Sequence, residues 1–177
     1  MLLPGTLFRN LTRYTAVKRC IGYNRRRCLS AGLRSTDHDT DLYVTKRILV
    51  VDDRNELLHL MRRVLEDEQY QVSILQEGKD AFERVKNLLP DLLILDLKLG
   101  DMSGQDILKQ LKNDLVTADI PVIVYTAAVL EAEEVSRLIE ESPQKYNGVC
   151  LLRKPFELDA LLDKVEELLD KSGQHGN

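Results

Sequence analysis

Short aliphatic runs alternate with longer stretches in which apolar residues return every three or four positions, from residue 47 to residue 171. The runs are RILVV (47–51), QVSIL (71–75), LLIL (92–95), PVIVY (121–125) and GVCLL (148–152). They show no in–out alternation, which predicts strands of a parallel sheet covered on both faces. The stretches between them predict helices. Residues 54–68 carry Leu57, Leu60, Met61, Val64 and Leu65 on one face, and residues 79–89 carry Phe82, Val85 and Leu89, with Pro90 as the stop. A helix over 105–114 is expected to open at Ser103, with Asp106 completing a capping box. The pattern over 131–141 is weaker, and 157–171 places Leu158, Leu161, Leu162, Val165 and Leu169 inward. Strand–helix alternation with right-handed crossovers predicts a doubly wound α/β sandwich with strand order 2-1-3-4-5. Ligands of such sheets bind at the carboxyl ends of strands 1 and 3.

Composition bounds the class. The chain has 177 residues, 44% hydrophobic and 31% charged, which suits one globular domain with an attachment. The longest apolar run, IPVIVYTAAVL (120–130), is shorter than the roughly 18 residues of a membrane span, so none is expected. Cys20, Cys28 and Cys150 are too scattered for a disulfide framework, and His38, His59 and His175 form no metal spacing. A reduced, cytoplasmic setting is expected.

The net charge of −4 is unevenly spread. Residues 1–36 hold eight of the 25 basic residues and no acid, which leaves 17 bases against 29 acids, or −12, for residues 37–177. Direct nucleic-acid binding by so acidic a core is not expected. Residues 1–45 read as a basic, disordered leader. A transit peptide, which would make the location organellar, stands beside that reading. So do a basic arm for nucleic acid or anionic lipid and a natural start near residues 42–45. Residues 46–171 read as the folded domain and 172–177 as a tail.

The chemistry gathers where the strands end. Strand 1 ends in Asp52 and Asp53, and strand 3 in Asp96. Strand 4 is followed by Thr126 and strand 5 by Arg153 and Lys154. In the expected order these strands are neighbours about 4.8 Å apart, so three carboxylates, a hydroxyl and an ammonium converge. Carboxylates that close must share a proton or hold a cation. Hard oxygen ligands with room for water suit Mg2+. Such a site can receive a phosphoryl group, which needs in-line positioning and charge neutralisation, and Asp96 is the central nucleophile. Asp53 with Glu56 could also cap the first helix.

The blocks ILVVDD, PDLLILDLKLGDMSG, PVIVYTA and LLRKPF, in that order, resemble the four motif blocks of the response-regulator receiver domain over about residues 46–171. The resemblance implies a flavodoxin-like (βα)5 fold and a role in two-component phosphorelay signalling. It makes Asp96 the phosphoacceptor and Asp52 and Asp53 the acidic pair that helps hold Mg2+. The backbone carbonyl of Lys98 becomes a third ligand, Thr126 the switch hydroxyl, and Lys154 the ion-pairing lysine before a cis Pro155. The phosphoryl donor is then a histidine kinase or histidine phosphotransfer protein. The protein would be no enzyme beyond self-phosphorylation and autodephosphorylation.

The chain departs from that pattern at three places. Leu151 stands where the family usually has an aromatic, while Tyr125 is off that position and reads as a plain strand residue. Gly100 replaces a proline, and Lys98 puts an ammonium beside the acceptor. Cys150 reads as core packing and Arg153 as surface. The chain ends about six residues past the last helix, so a stand-alone receiver that docks a downstream protein target is expected. A pseudo-receiver, the same fold without phosphorylation, is the alternative. An aspartate-nucleophile phosphatase fits less well, because DDRNE follows strand 1 where D-x-D is usual.

Overall fold

A computed structural model describes residues 45–172. The readings of the basic leader and of the C-terminal tail lie outside these residues. Among the described residues, five strands form one parallel sheet: β1 (Arg47–Val51), β2 (Gln71–Leu75), β3 (Leu92–Asp96), β4 (Val122–Thr126) and β5 (Val149–Arg153). The order is β2-β1-β3-β4-β5, as the sequence pattern predicts. The helices are α1 (Asn55–Asp67), α2 (Ala81–Leu88), α3 (Gly104–Asn113), α4 (Val129–Glu141) and α5 (Leu158–Ser172).

Each strand divides its residues between two cores. Ile48, Val50, Leu92, Ile94, Ile123 and Tyr125 meet Leu58, Met61 and Leu65 of α1 and Leu161, Val165 and Leu169 of α5. Leu49, Val51, Leu93, Leu95, Val122 and Val124 meet Val85 of α2, Ile107, Leu108 and Leu111 of α3 and Val135 of α4. Every residue of β3 is buried, so both of its faces contribute, each aliphatic side chain by about 1.5–3 kcal/mol. The central strand is therefore held from both sides, and its last residue is Asp96.

Local details differ from expectation in two places. Ser103 stands at the N-cap of α3 in extended backbone, but its side chain makes no capping hydrogen bond, so the capping box with Asp106 does not form. The turn is closed by backbone instead: Gly104 N–H donates to Leu97 O (2.9 Å) and Lys98 bridges Ser103. Likewise α1 is capped by Arg54 without a side-chain bond, so neither Asp53 nor Glu56 serves as its cap. Leu89, before Pro90, takes a left-handed φ of 45° as α2 stops, and Arg47 ties that end to β1 by donating to Leu88 O (2.8 Å) and Leu89 O (2.7 Å).

Candidate functional site

The site follows from strand parity. Residues 48 and 50 face the α1/α5 side, so Asp52 continues that row one step past β1. Asp96 continues the row of Leu92 and Ile94, and Lys154 that of Cys150 and Leu152. Register then places Val50 beside Ile94 and Asp96 beside Tyr125. Asp52, Asp96, Tyr125 and Lys154 thus meet on one face, at the carboxyl end of the sheet. Thr126 has the other parity.

Distances bear this out. Lys154 Nζ lies 2.6 Å from Asp96 Oδ2 and 3.4 Å from Asp52 Oδ2. The same ammonium stands 4.1 Å from the centre of the Tyr125 ring, a cation–π arrangement. The Tyr125 hydroxyl donates to Asp52 Oδ2 at 2.7 Å. Its ring meets Phe156 edge-on, with centroids 6.0 Å apart. Asp96 Oδ1 accepts from the backbone N–H of Lys98 at 3.2 Å. The Lys154–Pro155 peptide is cis.

Arg54 reaches back over the acids. Its backbone N–H donates to Asp52 Oδ1 (2.7 Å), as do Nε to Oδ1 (3.3 Å) and Nη2 to Oδ2 (3.2 Å). The guanidinium also stands 3.7 Å from Asp96 Oδ2. Asp53, Arg54, Asp96, Lys98, Ala127, Ala128 and Lys154 line a cavity of about 290 Å³. Thr126 is buried outside that lining, and its Oγ1 accepts from Ala128 N–H (3.0 Å).

Gly104 sets the floor. A Cβ there would stand 2.1 Å from the backbone oxygen of Asp96 and 2.6 Å from Leu97 Cα, so only glycine lets α3 begin this close to the Asp96 backbone.

The two buried aspartates differ electrically. Burial opposes ionisation of Asp52, but hydrogen bonds from Arg54 and Tyr125 outweigh it and hold the carboxyl below its usual range. At Asp96 burial prevails over Lys154 and the Lys98 N–H, and the carboxyl is raised. Burial, then Asp52, push the Tyr125 hydroxyl far up, so it remains a donor. Two side-chain cations, Lys154 and Arg54, therefore already answer the repulsion that the acids create.

This bears on the expected metal. Among the described residues no group of three or more His, Cys, Asp or Glu side chains stands ready to hold an ion. The reason is visible at Asp52, whose oxygens accept from Tyr125, Lys154 and Arg54. Asp53 and Asp96 both line the cavity, an oxygen-donor pair whose chemistry suits Mg2+ completed by carbonyl and water. The donor chemistry fits the ion without a preformed cage.

Sequence reasoning placed Asp52, Asp53, Asp96, Lys98, Thr126 and Lys154 around this point; Asp53, Asp96, Lys98 and Lys154 line the cavity, Asp52 lies behind them in contact with Lys154, and Thr126 is buried outside the lining. It missed Tyr125, which is part of the site, and it did not single out Arg54. Register with Asp96 could have found the first, and the i, i+2 turn after Asp52 the second.

A family model described as the response regulator receiver domain matches residues 48–166. Response regulator MprA of Mycobacterium sp. (strain KMS) is 32% identical over 126 residues, 71% of this chain and 51% of that protein. Response regulator ArlR of Staphylococcus saprophyticus is 30% identical over 128 residues, 72% and 54% of the two chains. The chain spans about half the length of the curated relatives it matches. Among solved structures, the CheY-like receiver domain of Methanospirillum hungatei JF-1 superimposes with a TM-score of 0.64 at 29% identity, covering 75% of this chain and 99% of that one. The signal receiver domain of a signal transduction histidine kinase from Syntrophus aciditrophicus gives 0.61 at 26%, covering 72% and 92%.

Proposed function

The chain belongs to the response regulator receiver domains of two-component systems, and we propose from that membership that Asp96 is its phosphoacceptor. The observation that carries this reading is the Lys154–Asp96 pair, 2.6 Å apart at the wall of a cavity that Asp53 shares. The phosphoryl donor is a phosphohistidine of a histidine kinase or phosphotransfer protein. A carboxylate oxygen of Asp96 attacks phosphorus in line, the O–P bond forms, the N–P bond breaks, and the imidazole leaves and takes up a proton. Lys154 and the Lys98 N–H hold the carboxylate in place for that attack. Asp53 and Asp96 would hold Mg2+, with the Lys98 carbonyl as the third protein ligand and Asp52 behind them. Bound Mg2+ would offset charge on the phosphoryl oxygens.

The domain spans residues 46–171 in this reading, with the basic leader and the tail flanking it. Thr126 acts as the switch: its Oγ1 would exchange the Ala128 N–H for a phosphoryl oxygen, a population shift within one fold. A downstream protein then docks on the α4–β5–α5 face; Val129 and Leu130, in the first turn of α4, are exposed. In this reading the protein acts in the cytoplasm; no described helix is long and apolar enough to cross a membrane.

Incubation with Mg2+ and acetyl phosphate followed by intact-mass measurement tests the reading. One phosphoryl adduct, absent in Asp96→Asn, is expected. Mg2+ binding without an adduct would sink it and favour a pseudo-receiver, a reading that draws on the ion pairs already closed around Asp52.

A further inference from the structure

Five hydrogen bonds converge on the Asp52 carboxylate, and three of them come from Arg54. The guanidinium spans from Asp52 to within 3.7 Å of Asp96 and forms part of the cavity wall beside Asp53. A cation held between Asp53 and Asp96 would stand beside this positive charge. Each positive charge already in so small an acidic site repels an entering cation, and of the two present the exposed guanidinium is the one free to leave.

We infer that the Arg54 guanidinium is a built-in competitor of the divalent cation: it neutralises Asp52 and Asp96 in the resting site, and cation binding requires it to swing out. This rests on the reading of the cavity as a Mg2+-assisted phosphoacceptor site.

The local geometry lets the exchange happen. The Arg54 side chain is 53% exposed, so it can leave into solvent without unpacking the core. An ion pair so open is weak, which makes Arg54 a gate that raises the cation concentration required and does not abolish binding. The anchor of Asp52 survives the exchange. The backbone N–H of Arg54 keeps its 2.7 Å bond to Oδ1, and Tyr125 and Lys154 keep Oδ2. Only the guanidinium bonds are lost, and the cation's charge replaces theirs. Lys154 stays with Asp96 and Tyr125, so the two basic residues have separate duties: Lys154 is the resident partner and Arg54 the displaceable one.

The test is calorimetric titration of Mg2+ into the full chain and into Arg54→Ala and Arg54→Gln. Binding about two- to fivefold tighter is expected in both variants, the shift that removing so exposed an ion pair supports. In the wild type, the Arg54 Nε–Hε resonance should lose its protection from exchange as Mg2+ saturates, a change that a purely structural residue would not show. Equal or weaker Mg2+ affinity in both variants, or an Arg54 resonance indifferent to Mg2+, overturns the inference. If the Asp96-dependent adduct still forms, that failure leaves the phosphoacceptor reading intact. If neither the wild type nor the variants bind Mg2+, both the inference and its premise fall.

Discussion

The Tyr125 hydroxyl donates to Asp52 Oδ2 at 2.7 Å, and both residues are fully buried. Tyr125 thereby joins strand β4 to the end of β1 across β3, beneath the Lys154 ammonium that stands 4.1 Å from its ring. The tyrosine holds the acid from one side and the lysine from another.

Tyr125→Phe keeps the ring under Lys154 and the packing against Phe156 but removes the donor. A buried carboxylate that loses a partner destabilises the fold by about 1–3 kcal/mol. Urea unfolding should show that loss with an unchanged m-value. The Asp52 carboxyl, followed by carbon-detected NMR, should titrate at higher pH than in the wild type, because a bond that favours its charged form is gone. Unchanged stability together with an unchanged Asp52 titration would show that the bond contributes nothing.

Gly104 and Gly100 provide a matched pair. A Cβ at Gly104 would collide with the Asp96 backbone, whereas at Gly100 the nearest atom, Asp53 Oδ2, is 3.7 Å away. Gly104→Ala should cost about 1–3 kcal/mol, as overpacking does, and should lower the yield of the Asp96 adduct. Gly100→Ala should stay within about 0.5 kcal/mol of the wild type. Equal effects of the two changes on stability and adduct yield would contradict the close approach at Asp96.

What the sequence made legible was governed by periodicity. The aliphatic runs located each strand to within about one residue, because burial on both faces leaves few other ways to place five such runs. Asp52, Asp96 and Lys154 were found because they interrupt or follow those runs. Tyr125 was missed because inside PVIVY it looks like any strand residue. Its role exists only through register with Asp96, which is a property of the sheet. Arg54 was missed for a related reason. A charged residue at a helix start reads as solvated, and only the turn that returns its N–H to Asp52 folds the guanidinium over the acids. The Ser103–Asp106 box failed because backbone bonds from Gly104 and Lys98 already close that turn.

Lys98 is exposed and is one of the residues that line the cavity. Water that hydrolyses an Asp96 phosphoryl group must approach in line from the cavity that Lys98 helps to line. Lys98→Ala opens the approach, so the phosphorylated form should decay at least about twofold faster, the backbone contact to Asp96 Oδ1 being retained. Decay of the adduct followed by intact mass reads this directly, and an unchanged rate would dispose of a role for the side chain.

Lys112 offers a test by pH at the opposite end of the sheet. Its ammonium is buried and donates to the carbonyls of Ala118 (2.7 Å), Ile120 (2.9 Å) and Asn147 (3.4 Å), tying α3 to the loops before β4 and β5. Burial pushes its pKa down from 10.5 to about 8, while Asp119 pulls the other way. A folded pKa below the unfolded one means that the unfolded chain binds more protons between the two values, so stability rises with pH across that window. Below about 8 the ammonium is charged in both states and its burial cost is present in full. Lys112→Met has no such titration, and every other group is shared. The stability of the wild type relative to Lys112→Met should therefore climb between about pH 8 and 10.5, by on the order of 3 kcal/mol in all. Paired urea melts across that range measure the difference. A flat difference would mean that the three carbonyls hold the charged form firmly enough to cancel the effect of burial.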